Sequence, residues 1–405
     1  MSNTLCSFAF AHTDIEPNGD IKFCCAAMGN VHRDPEGRLY NVNTHTLKQA
    51  WNSELLKQTR LEMIAGQKPQ SCSYCWRMEN EDNTAGASVR LQAANQRIPI
   101  TDITDRVEYA RAHGGELEDL AYDFQLSIGN LCNLACKMCN PTFSTSYQKF
   151  YNKLDNISTP IVSFDWPVTL SLPEIFKDHI SSIQRIFFTG GEPTLIPEVV
   201  DFIDYLSSNP NITIWPSTNC TNINKHLLDS LSKFNKVWLN LSLDGMDDIA
   251  YLQRTPSNWP SIEKNVDLLA DWIKAQSSQR VIHTTLITTI TLLNLHHVLD
   301  FWSYISKRYA DRIHFGLAIN LVLDKGSNYG LENVPRDAIP KIQAQLESFK
   351  QDVPYRMEYA VEYIDNLLRT TAWADDYTGI DHWLSELQRA HPDKNIKEIY
   401  SIYYK

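Results

Sequence analysis

The sequence lacks an excess of positive charge and a long apolar run. Its 405 residues contain 37 Lys and Arg against 48 Asp and Glu, which gives a formal net charge of −11. This balance disfavours a nucleic-acid-binding protein, because such proteins present a basic surface. The most apolar stretch, residues 281–295, contains His283 and five threonines. It is too short and too polar to predict a membrane span.

The sequence also lacks internal repeats, low-complexity segments and a secretory signal. Residues 1–6 carry neither a cationic region nor an apolar stretch, so a cytoplasmic protein is expected. Thiols stay reduced in that compartment, and the nine cysteines are therefore better interpreted as ligands or catalytic groups than as disulfides. With 43% hydrophobic and 11% aromatic residues, a chain of this length predicts two or three globular domains.

The cysteines fall into two groups and one isolated residue. The first group lies within the first 75 residues and comprises Cys6, Cys24, Cys25, Cys72 and Cys75. The second group is Cys132, Cys136 and Cys139, at a Cys-x3-Cys-x2-Cys spacing, and Cys220 stands alone. Three thiolates on one tight loop can hold three corners of a 4Fe–4S cluster and leave its fourth iron open to another molecule.

From residue 121 onward, strand-like and helical patterns alternate. The strand-like runs, rich in β-branched and aromatic residues, cover 123–129, 185–189, 212–218, 237–243, 283–291 and 313–322. The helical patterns cover 142–155, 173–182, 197–208, 224–234, 260–276 and 294–309. This alternation predicts an α/β fold with parallel strands joined by right-handed crossovers, either an open sheet or a partial barrel. After residue 331 a helical tail is expected.

Polar motifs follow four of the predicted strands, where functional loops gather in parallel α/β folds. They are the three-cysteine loop, Gly190-Gly191-Glu192-Pro193, Ser217-Thr218-Asn219 and Ser242-Leu243-Asp244-Gly245, with Arg254 twelve residues after Ser242. The carboxyl ends of parallel strands lie at one rim, so these motifs are expected to be close together. The occurrence of all four motifs at one rim is stronger evidence for a functional site than any single motif. A Gly-Gly-Glu-Pro segment alone, for example, is often an ordinary turn.

The cysteine loop and the Gly190–Pro193 segment together resemble the signature of the radical S-adenosylmethionine (radical SAM) superfamily. The resemblance covers residues ~121–322 and implies a partial (β/α)6 barrel. It implies that Cys132, Cys136 and Cys139 hold a 4Fe–4S cluster whose open iron binds S-adenosylmethionine. Reductive cleavage of that cofactor would give a 5′-deoxyadenosyl radical, which takes a hydrogen atom from the substrate.

The same resemblance assigns further residues to S-adenosylmethionine. The residues expected to bind it are Met138, Gly190, Gly191, Glu192, Pro193, Ser217, Asn219, Ser242, Asp244 and Arg254. The glycines allow close backbone approach, and the Arg254 guanidinium suits a carboxylate. Met138 stands where relatives more often carry an aromatic residue. Cys220 is a candidate hydrogen donor to a substrate radical, although a small buried hydrophobe is the more ordinary interpretation.

The N-terminal cysteines resemble the SPASM/twitch auxiliary-cluster domain of radical SAM enzymes. That domain usually follows the barrel, whereas here it comes first. The ligands implied for one auxiliary 4Fe–4S cluster are Cys6, Cys24, Cys72 and Cys75, with Cys25 as the alternative to Cys24. A structural zinc site is the competing interpretation of this group.

The predicted organisation is an auxiliary domain at 1–95, a linker at 96–120, the barrel at 121–330 and a helical extension at 331–405. The predicted function is radical SAM chemistry on an unknown substrate, either a peptide or protein side chain or a sugar-like alcohol. Oxidation, cross-linking and epimerisation are the reaction types that the resemblance implies. The auxiliary cluster would relay electrons, and a flavodoxin or ferredoxin would supply them. The alternative is a non-catalytic scaffold that carries zinc or iron–sulfur.

Overall fold

The structure, a computed structural model, describes residues 3–27, 32–80, 88–276, 280–322 and 329–404. The chain forms two compact units. The first comprises Met1–Asn130 and Ser163–Trp215, and the second comprises Leu131–Val162 and Pro216–Lys405. Within the described ranges, no helix combines the length and the apolar character that a membrane span requires.

Strands and helices alternate along most of the described chain. The strands are β1 (His12–Ile15), β2 (Ile21–Lys22), β3 (Asp123–Ser127), β4 (Ala135–Cys136), β5 (Arg185–Thr189), β6 (Thr213–Thr218), β7 (Lys236–Ser242), β8 (Arg254–Thr255), β9 (Val281–Ile290) and β10 (Phe315–Leu321). The first helices are α1 (Phe8–Ala11), α2 (Leu47–Trp51), α3 (Glu54–Ile64), α4 (Ser73–Asn80), α5 (Asn95–Arg97), α6 (Thr104–Ala112), α7 (Thr145–Leu154), α8 (Trp166–Thr169), α9 (Leu172–Phe176) and α10 (Pro197–Leu206). The later helices are α11 (Lys225–Leu231), α12 (Asp247–Gln253), α13 (Trp259–Ala275), α14 (Val298–Tyr309), α15 (Ile339–Phe349), α16 (Glu358–Thr370), α17 (Thr378–Ala390) and α18 (Ile396–Ile399).

The first unit has a mixed sheet in which β3 is parallel to both β5 and β1, and β1 is antiparallel to β2. One face of β3 and β5 is fully buried through Phe124, Leu126, Ile186 and Phe188. Helices α9 and α10 cover this face, and the ring of Phe124 lies 5.3 Å from that of Phe176. In β5 the residues between these buried ones are half-buried, as the period of two predicts, whereas Asp123 and Ser127 on the other face of β3 are buried as well.

The second unit has β9 between β7 and β10, with both pairings parallel. Helix α14 packs on β9, where the Trp302 indole donates a hydrogen bond to Thr288 Oγ1 at 3.1 Å. A separate two-stranded ribbon pairs β4 with β8 in antiparallel fashion. This ribbon matters for function because β4 lies inside the cysteine loop.

The predicted α/β class with mostly parallel strands is confirmed, and the six predicted strands are β3, β5, β6, β7, β9 and β10. The sequence did not indicate β1, because its four residues, all buried, show no period-2 alternation of apolar and polar side chains. The tail after residue 331 is helical, as expected, through α15 to α18. The boundary between the two compact units falls inside β6, and the predicted domain limits stay predictions.

Candidate active site

The cysteine loop is anchored to residues 253–255 of the second unit. Cys136 in β4 pairs with Arg254 in β8, and the Lys137 amide donates to the Gln253 carbonyl at 2.9 Å. The Cys139 amide donates to the Cys136 carbonyl at 3.0 Å, which closes a tight turn. Cys136 is buried, while Cys132 and Cys139 are half-buried. The backbone is therefore fixed at the residues that carry two of the three thiols.

Residues at the start of α7 donate hydrogen bonds to backbone carbonyls of the same loop. Ser144 caps this helix by accepting from the Tyr147 amide at 3.0 Å, and its hydroxyl also donates to the Leu134 carbonyl at 2.7 Å. Ser146 donates to the Cys132 carbonyl at 2.7 Å. Serine is a favoured N-cap, and here the capping residue also satisfies a carbonyl of the loop.

Arg254 connects the cysteine loop with the end of β7. Its Nε donates to Asp244 Oδ2 at 2.6 Å, and its Nη1 lies 3.8 Å from Cys136 Sγ. Asp244 is buried and also accepts from the Thr289 amide at 2.7 Å. Burial alone would lower the pKa of Arg254, but the charge of the Asp244 carboxylate holds it above its ordinary value. Arg254 is thus a fixed positive charge beside a cysteine sulfur.

The pKa values of the loop thiols indicate which kind of group the loop can bind. Burial raises the pKa of Cys136 to about 12, against the opposing effect of Arg254, and burial raises the pKa of Cys139 to about 11. Both are therefore neutral thiols unless further positive charge lies among them. Coordinated metal ions supply such charge and deprotonate their thiol ligands. A set of three sulfurs fits a cluster with one iron open.

The predicted residues at the ends of β6 and β7 also meet within the second unit. The hydroxyl oxygens of Ser217 and Ser242 lie 3.4 Å apart. Asn219 Nδ2 donates to the Asn133 side chain at 3.3 Å, which links it to the residue after Cys132. Met138 is half-buried.

Cys220 is fully buried, with φ at +61°. Its sulfur is directed at the Thr218 carbonyl at 3.9 Å, and its own carbonyl accepts from Asn265 at 2.9 Å. These contacts describe a residue fixed in a tight turn. Its assignment as a hydrogen donor stays a prediction.

The Gly190–Pro193 segment belongs to the first unit, at the end of β5. Gly190 has φ +113°, and a Cβ atom there would lie 3.0 Å from the Gly129 carbonyl oxygen and 3.1 Å from the Ile128 nitrogen. Only glycine fits this backbone. Glu192 is buried, and its carboxylate accepts from the Thr194 hydroxyl at 2.6 Å. Glu192 therefore fixes the turn from within.

Four N-terminal cysteines of the first unit line one small cavity. They are Cys6, Cys24, Cys72 and Cys75, and Arg90 contributes to the same wall. Cys25 is exposed and is not part of this lining. Burial raises the pKa of Cys6 and of Cys72 to about 12. Four neutral thiols around one cavity, three of them buried and Cys72 half-buried, suit a group that brings its own positive charge.

One residue that the sequence did not single out is Lys137, between Cys136 and Met138. Its side chain is buried, and its Nζ lies 4.8 Å from the Phe150 ring, 5.4 Å from the Tyr151 ring and 6.0 Å from the Tyr329 ring. Burial lowers the pKa of Lys137 to about 8, so the amine is still mostly charged at neutral pH. The sequence signal that could have identified this residue is the presence of a lysine within the cysteine motif.

Comparisons with known proteins bear on the same two regions. The profile described as radical SAM superfamily matches residues 126–305. The chain carries a radical SAM domain. An iron–sulfur cluster-binding (SPASM) profile matches residues 6–76, ahead of the radical SAM domain as predicted. A radical SAM domain implies a 4Fe–4S cluster and S-adenosylmethionine, and a SPASM domain implies auxiliary iron–sulfur binding. The predicted family and cofactors are therefore confirmed, and the individual ligands stay predictions.

The curated relatives are distant and match a limited part of this chain. Molybdenum cofactor biosynthesis protein moc-5 of Caenorhabditis elegans is 22% identical over 214 residues, which is 50% of this chain and 34% of that protein. GTP 3′,8-cyclase of Synechococcus elongatus is 30% identical over 139 residues, 33% of this chain and 37% of that protein. The chain thus spans about a third of the length of these relatives.

Solved structures are also similar to parts of this chain. The anSMEcpe structure with bound AdoMet and Cp18Cys peptide has a TM-score of 0.36 and 22% identity, covering 56% of this chain and 59% of that one. SuiB of Streptococcus suis bound to precursor peptide SuiA has a TM-score of 0.37 and 14% identity, covering 87% and 70%.

Proposed function

We propose that the protein is a radical SAM enzyme that oxidises, cross-links or epimerises a substrate through hydrogen abstraction. In this proposal Cys132, Cys136 and Cys139 hold the catalytic cluster. When bound, the cluster and S-adenosylmethionine supply a 5′-deoxyadenosyl radical, which takes a hydrogen atom from the substrate. The contribution of the protein is to bind, orient and shield these groups.

The contact of Arg254 with both Asp244 and Cys136 carries the proposal. It brings a guanidinium, fixed through its Nε, next to a cysteine of the three-cysteine loop. Because Asp244 engages Nε, the other nitrogens of Arg254 are the ones that a ligand carboxylate could reach. A guanidinium fork matches a carboxylate better than a lysine does. This arrangement supports binding of the methionine carboxylate beside the cluster loop.

The remaining predicted residues have roles that fit their local structure. The Ser217 and Ser242 hydroxyls form a polar pair at the strand ends and are proposed to contact S-adenosylmethionine. Asn219 would reach the ribose, and Gly190–Pro193 would offer backbone groups to the methionine amino group. Glu192 would act through the turn that it fixes. Among the three cysteines of the loop, Cys136 is the one most shielded from water, because it is buried while Cys132 and Cys139 are half-buried.

The four-cysteine cavity supports an auxiliary 4Fe–4S cluster ligated by Cys6, Cys24, Cys72 and Cys75. The exposure of Cys25 favours Cys24 as the ligand. With all four thiols engaged, such a cluster would have no iron free for substrate. We therefore propose that it relays an electron, for example from a product radical.

The substrate class is proposed from the SPASM resemblance and is a peptide or protein side chain or a sugar-like alcohol. A flavodoxin or ferredoxin is the proposed electron donor, and cytoplasmic location stays a prediction. A scaffold that binds zinc at the N-terminal cysteines is the alternative.

One experiment tests the proposal against this alternative. The chain is reconstituted anaerobically, its iron and zinc are counted, and 5′-deoxyadenosine is measured after addition of dithionite and S-adenosylmethionine. About eight irons per chain, two cubanes, with formation of 5′-deoxyadenosine are expected. A fully iron-loaded chain that yields no 5′-deoxyadenosine contradicts the enzyme, and zinc at the N-terminal cysteines contradicts the auxiliary cluster.

Variants assign the two clusters to their ligands. Cys136→Ala should abolish cleavage of S-adenosylmethionine, and Cys72→Ala should lose about four irons, one cubane, yet retain uncoupled cleavage. Cys25→Ala is the matched control, because this exposed thiol does not line the cavity. It should keep all its iron. Full iron content in Cys72→Ala, or loss of a cluster in Cys25→Ala, would show that the auxiliary ligands are misassigned.

A further inference from the structure

A cavity of about 390 Å³ lies within the second unit, and residues of α7 and α17 line it. The two buried residues of its lining are Lys137, on the cysteine loop, and Tyr329. Tyr329 and α17 lie beyond residue 305, where the radical SAM match ends. The helical tail of this chain therefore completes a cavity that the matched domain alone does not form.

Aromatic rings from both helices line this cavity. Tyr147 and Tyr151 are four residues apart on α7 and share one face of the helix, with ring centres 4.3 Å apart. The Trp383 ring of α17 lies 5.1 Å from the ring of Tyr329. Tyr329 has a left-handed φ of +64°, and its carbonyl accepts from the Leu292 amide at 3.0 Å. Strain of this kind is concentrated at binding and active sites.

Three charged side chains in the lining form one connected group. Arg389 donates from Nη2 to Asp155 Oδ1 at 3.0 Å and to Glu386 Oε2 at 2.7 Å. Between 38% and 46% of each of these side chains is exposed, so the group forms the solvent-facing edge of the cavity. Within the described ranges, no protein donor reaches Asp155 Oδ2 or Glu386 Oε1. These two oxygens can accept from N–H groups of a ligand.

The charges of the lining favour a neutral ligand. Arg389 binds both carboxylates, and solvent weakens the charges of all three groups at this exposure. The two acidic side chains, Asp155 and Glu386, are matched by two basic ones, Arg389 and Lys137. An aromatic ring stacks on other rings and requires no particular charge on Lys137.

We propose that this cavity binds an aromatic side chain of a peptide substrate and so selects the substrate, which rests on the proposed function above. Ligand pockets measure about 300–1,000 Å³, and this cavity lies at the lower end, where one side chain with its backbone fits. A tyrosine residue offers a ring to Tyr147 and Trp383, and backbone N–H groups to the two carboxylate oxygens. A sugar-like alcohol has no such ring. Because Lys137 lies between Cys136 and Met138, the bound ring anchors the peptide beside the cysteine loop.

The test measures binding of three small probes to the reconstituted full chain under argon. The probes are N-acetyl-L-tyrosinamide, which carries a ring and peptide N–H groups, N-acetyl-L-leucinamide, which lacks the ring, and guanosine, which has a planar ring but no peptide group. Titrations are followed by saturation-transfer nuclear magnetic resonance. N-acetyl-L-tyrosinamide should bind saturably and about tenfold more tightly than either of the other probes.

Variants place the bound probe in this cavity. Trp383→Ala should raise the dissociation constant of N-acetyl-L-tyrosinamide about tenfold, because one stacking ring is lost. Trp383→Phe keeps a ring and should stay within about threefold of the parent chain. Tyr355→Ala removes an exposed ring that does not line the cavity, and as the matched control it should bind like the parent chain. If circular dichroism shows that Trp383→Ala is unfolded, Tyr147→Leu on α7 is measured instead and should show the same loss.

The outcomes separate this inference from the proposed function. Equal binding of N-acetyl-L-leucinamide and N-acetyl-L-tyrosinamide would overturn it, as would tighter binding of guanosine that Trp383→Ala abolishes. Absence of binding, or binding of N-acetyl-L-tyrosinamide that neither Trp383→Ala nor Tyr147→Leu weakens, would overturn it too. In each of these cases the proposed function stands as long as the parent chain forms 5′-deoxyadenosine. If the iron-loaded chain forms none, the proposed function fails, and the role of the cavity in substrate selection fails with it even where the ring binds.

Discussion

At the scale of single residues, Arg254 shows how one side chain joins two distant sequence motifs. It lies in β8, pairs through its backbone with Cys136 and through its side chain with Asp244. Asp244 is held in turn by the Thr289 amide. Because both partners of the guanidinium are buried and fixed, little conformational entropy is lost when a ligand carboxylate binds it.

Arg254→Lys should therefore weaken S-adenosylmethionine binding and leave the iron content unchanged. A lysine has one point charge and no fork, so it cannot hold Asp244 through one nitrogen and offer others to a carboxylate. The dissociation constant should rise about 10- to 100-fold, as expected for a lost charged hydrogen bond. Calorimetry on the reconstituted chain measures it. Arg369→Lys, on an exposed arginine, is the control. Unchanged affinity in Arg254→Lys would remove Arg254 from the site.

At the scale of elements, the turn after β5 depends on the backbone of Gly190. This residue combines a left-handed φ with direct contact to the end of β3. Gly37 has a similar φ of +82° but open space around it. A comparison of alanine substitutions at Gly190 and Gly37 therefore separates the free-energy cost of the left-handed φ from the cost of the steric contact.

Gly190→Ala should lower the free energy of unfolding more than Gly37→Ala. Both substitutions add strain of about 1 kcal/mol or more at a left-handed residue. Gly190→Ala must also displace the backbone of residues 128–129, which we expect to cost at least a further ~1 kcal/mol. Urea denaturation followed by circular dichroism measures both. Equal losses of unfolding free energy in the two variants would contradict this prediction, because the contact with residues 128–129 would then carry no cost of its own.

At the scale of the whole molecule, the buried His12, His32 and His391 and the half-buried His296 link folding to pH. Burial, with His297 nearby, lowers the pKa of His296 to about 3, and burial lowers the pKa of His391 to about 4. Burial also lowers the pKa of His12 and of His32. In the unfolded chain a histidine titrates near pH ~6.5. Below that pH the unfolded chain binds more protons, so stability is complete above it and declines as pH falls towards the folded values.

The free energy of unfolding should therefore be lower at pH 5.5 than at pH 7.5. Each histidine that stays neutral in the fold contributes about 1.4 kcal/mol to this loss. His296→Gln should reduce the difference by about that amount, whereas His226→Gln, at an exposed position, should not. Urea unfolding of the iron-loaded chain under argon at both pH values measures the effect. An equal pH dependence in His296→Gln and the parent chain would contradict this account.

The sequence predicted what depends on local pattern. The six main strands and the helices α7, α9, α10, α11, α13 and α14 follow from period and propensity, and the cysteine loop and Gly190–Pro193 follow from spacing. Lys137 could not be assigned, because the rings around it come from α7 and from Tyr329, which lies almost 200 residues later. The set of His12, Arg97 and Arg185 around the buried Asp123 was missed for the same reason, with contacts of 2.6–2.7 Å. Long-range side-chain contacts leave no periodic trace.

Strand β1 has a consequence for the modularity of the chain. It lies within the SPASM match at residues 6–76, yet it pairs in parallel with β3. The radical SAM match begins inside β3, at residue 126. A chain shortened to begin after residue 95 would lose β1 and β2 and expose the hydrogen-bonding edge of β3, which is a template for aggregation. Removal of the region matched as SPASM is therefore expected to destabilise the sheet that β1 completes.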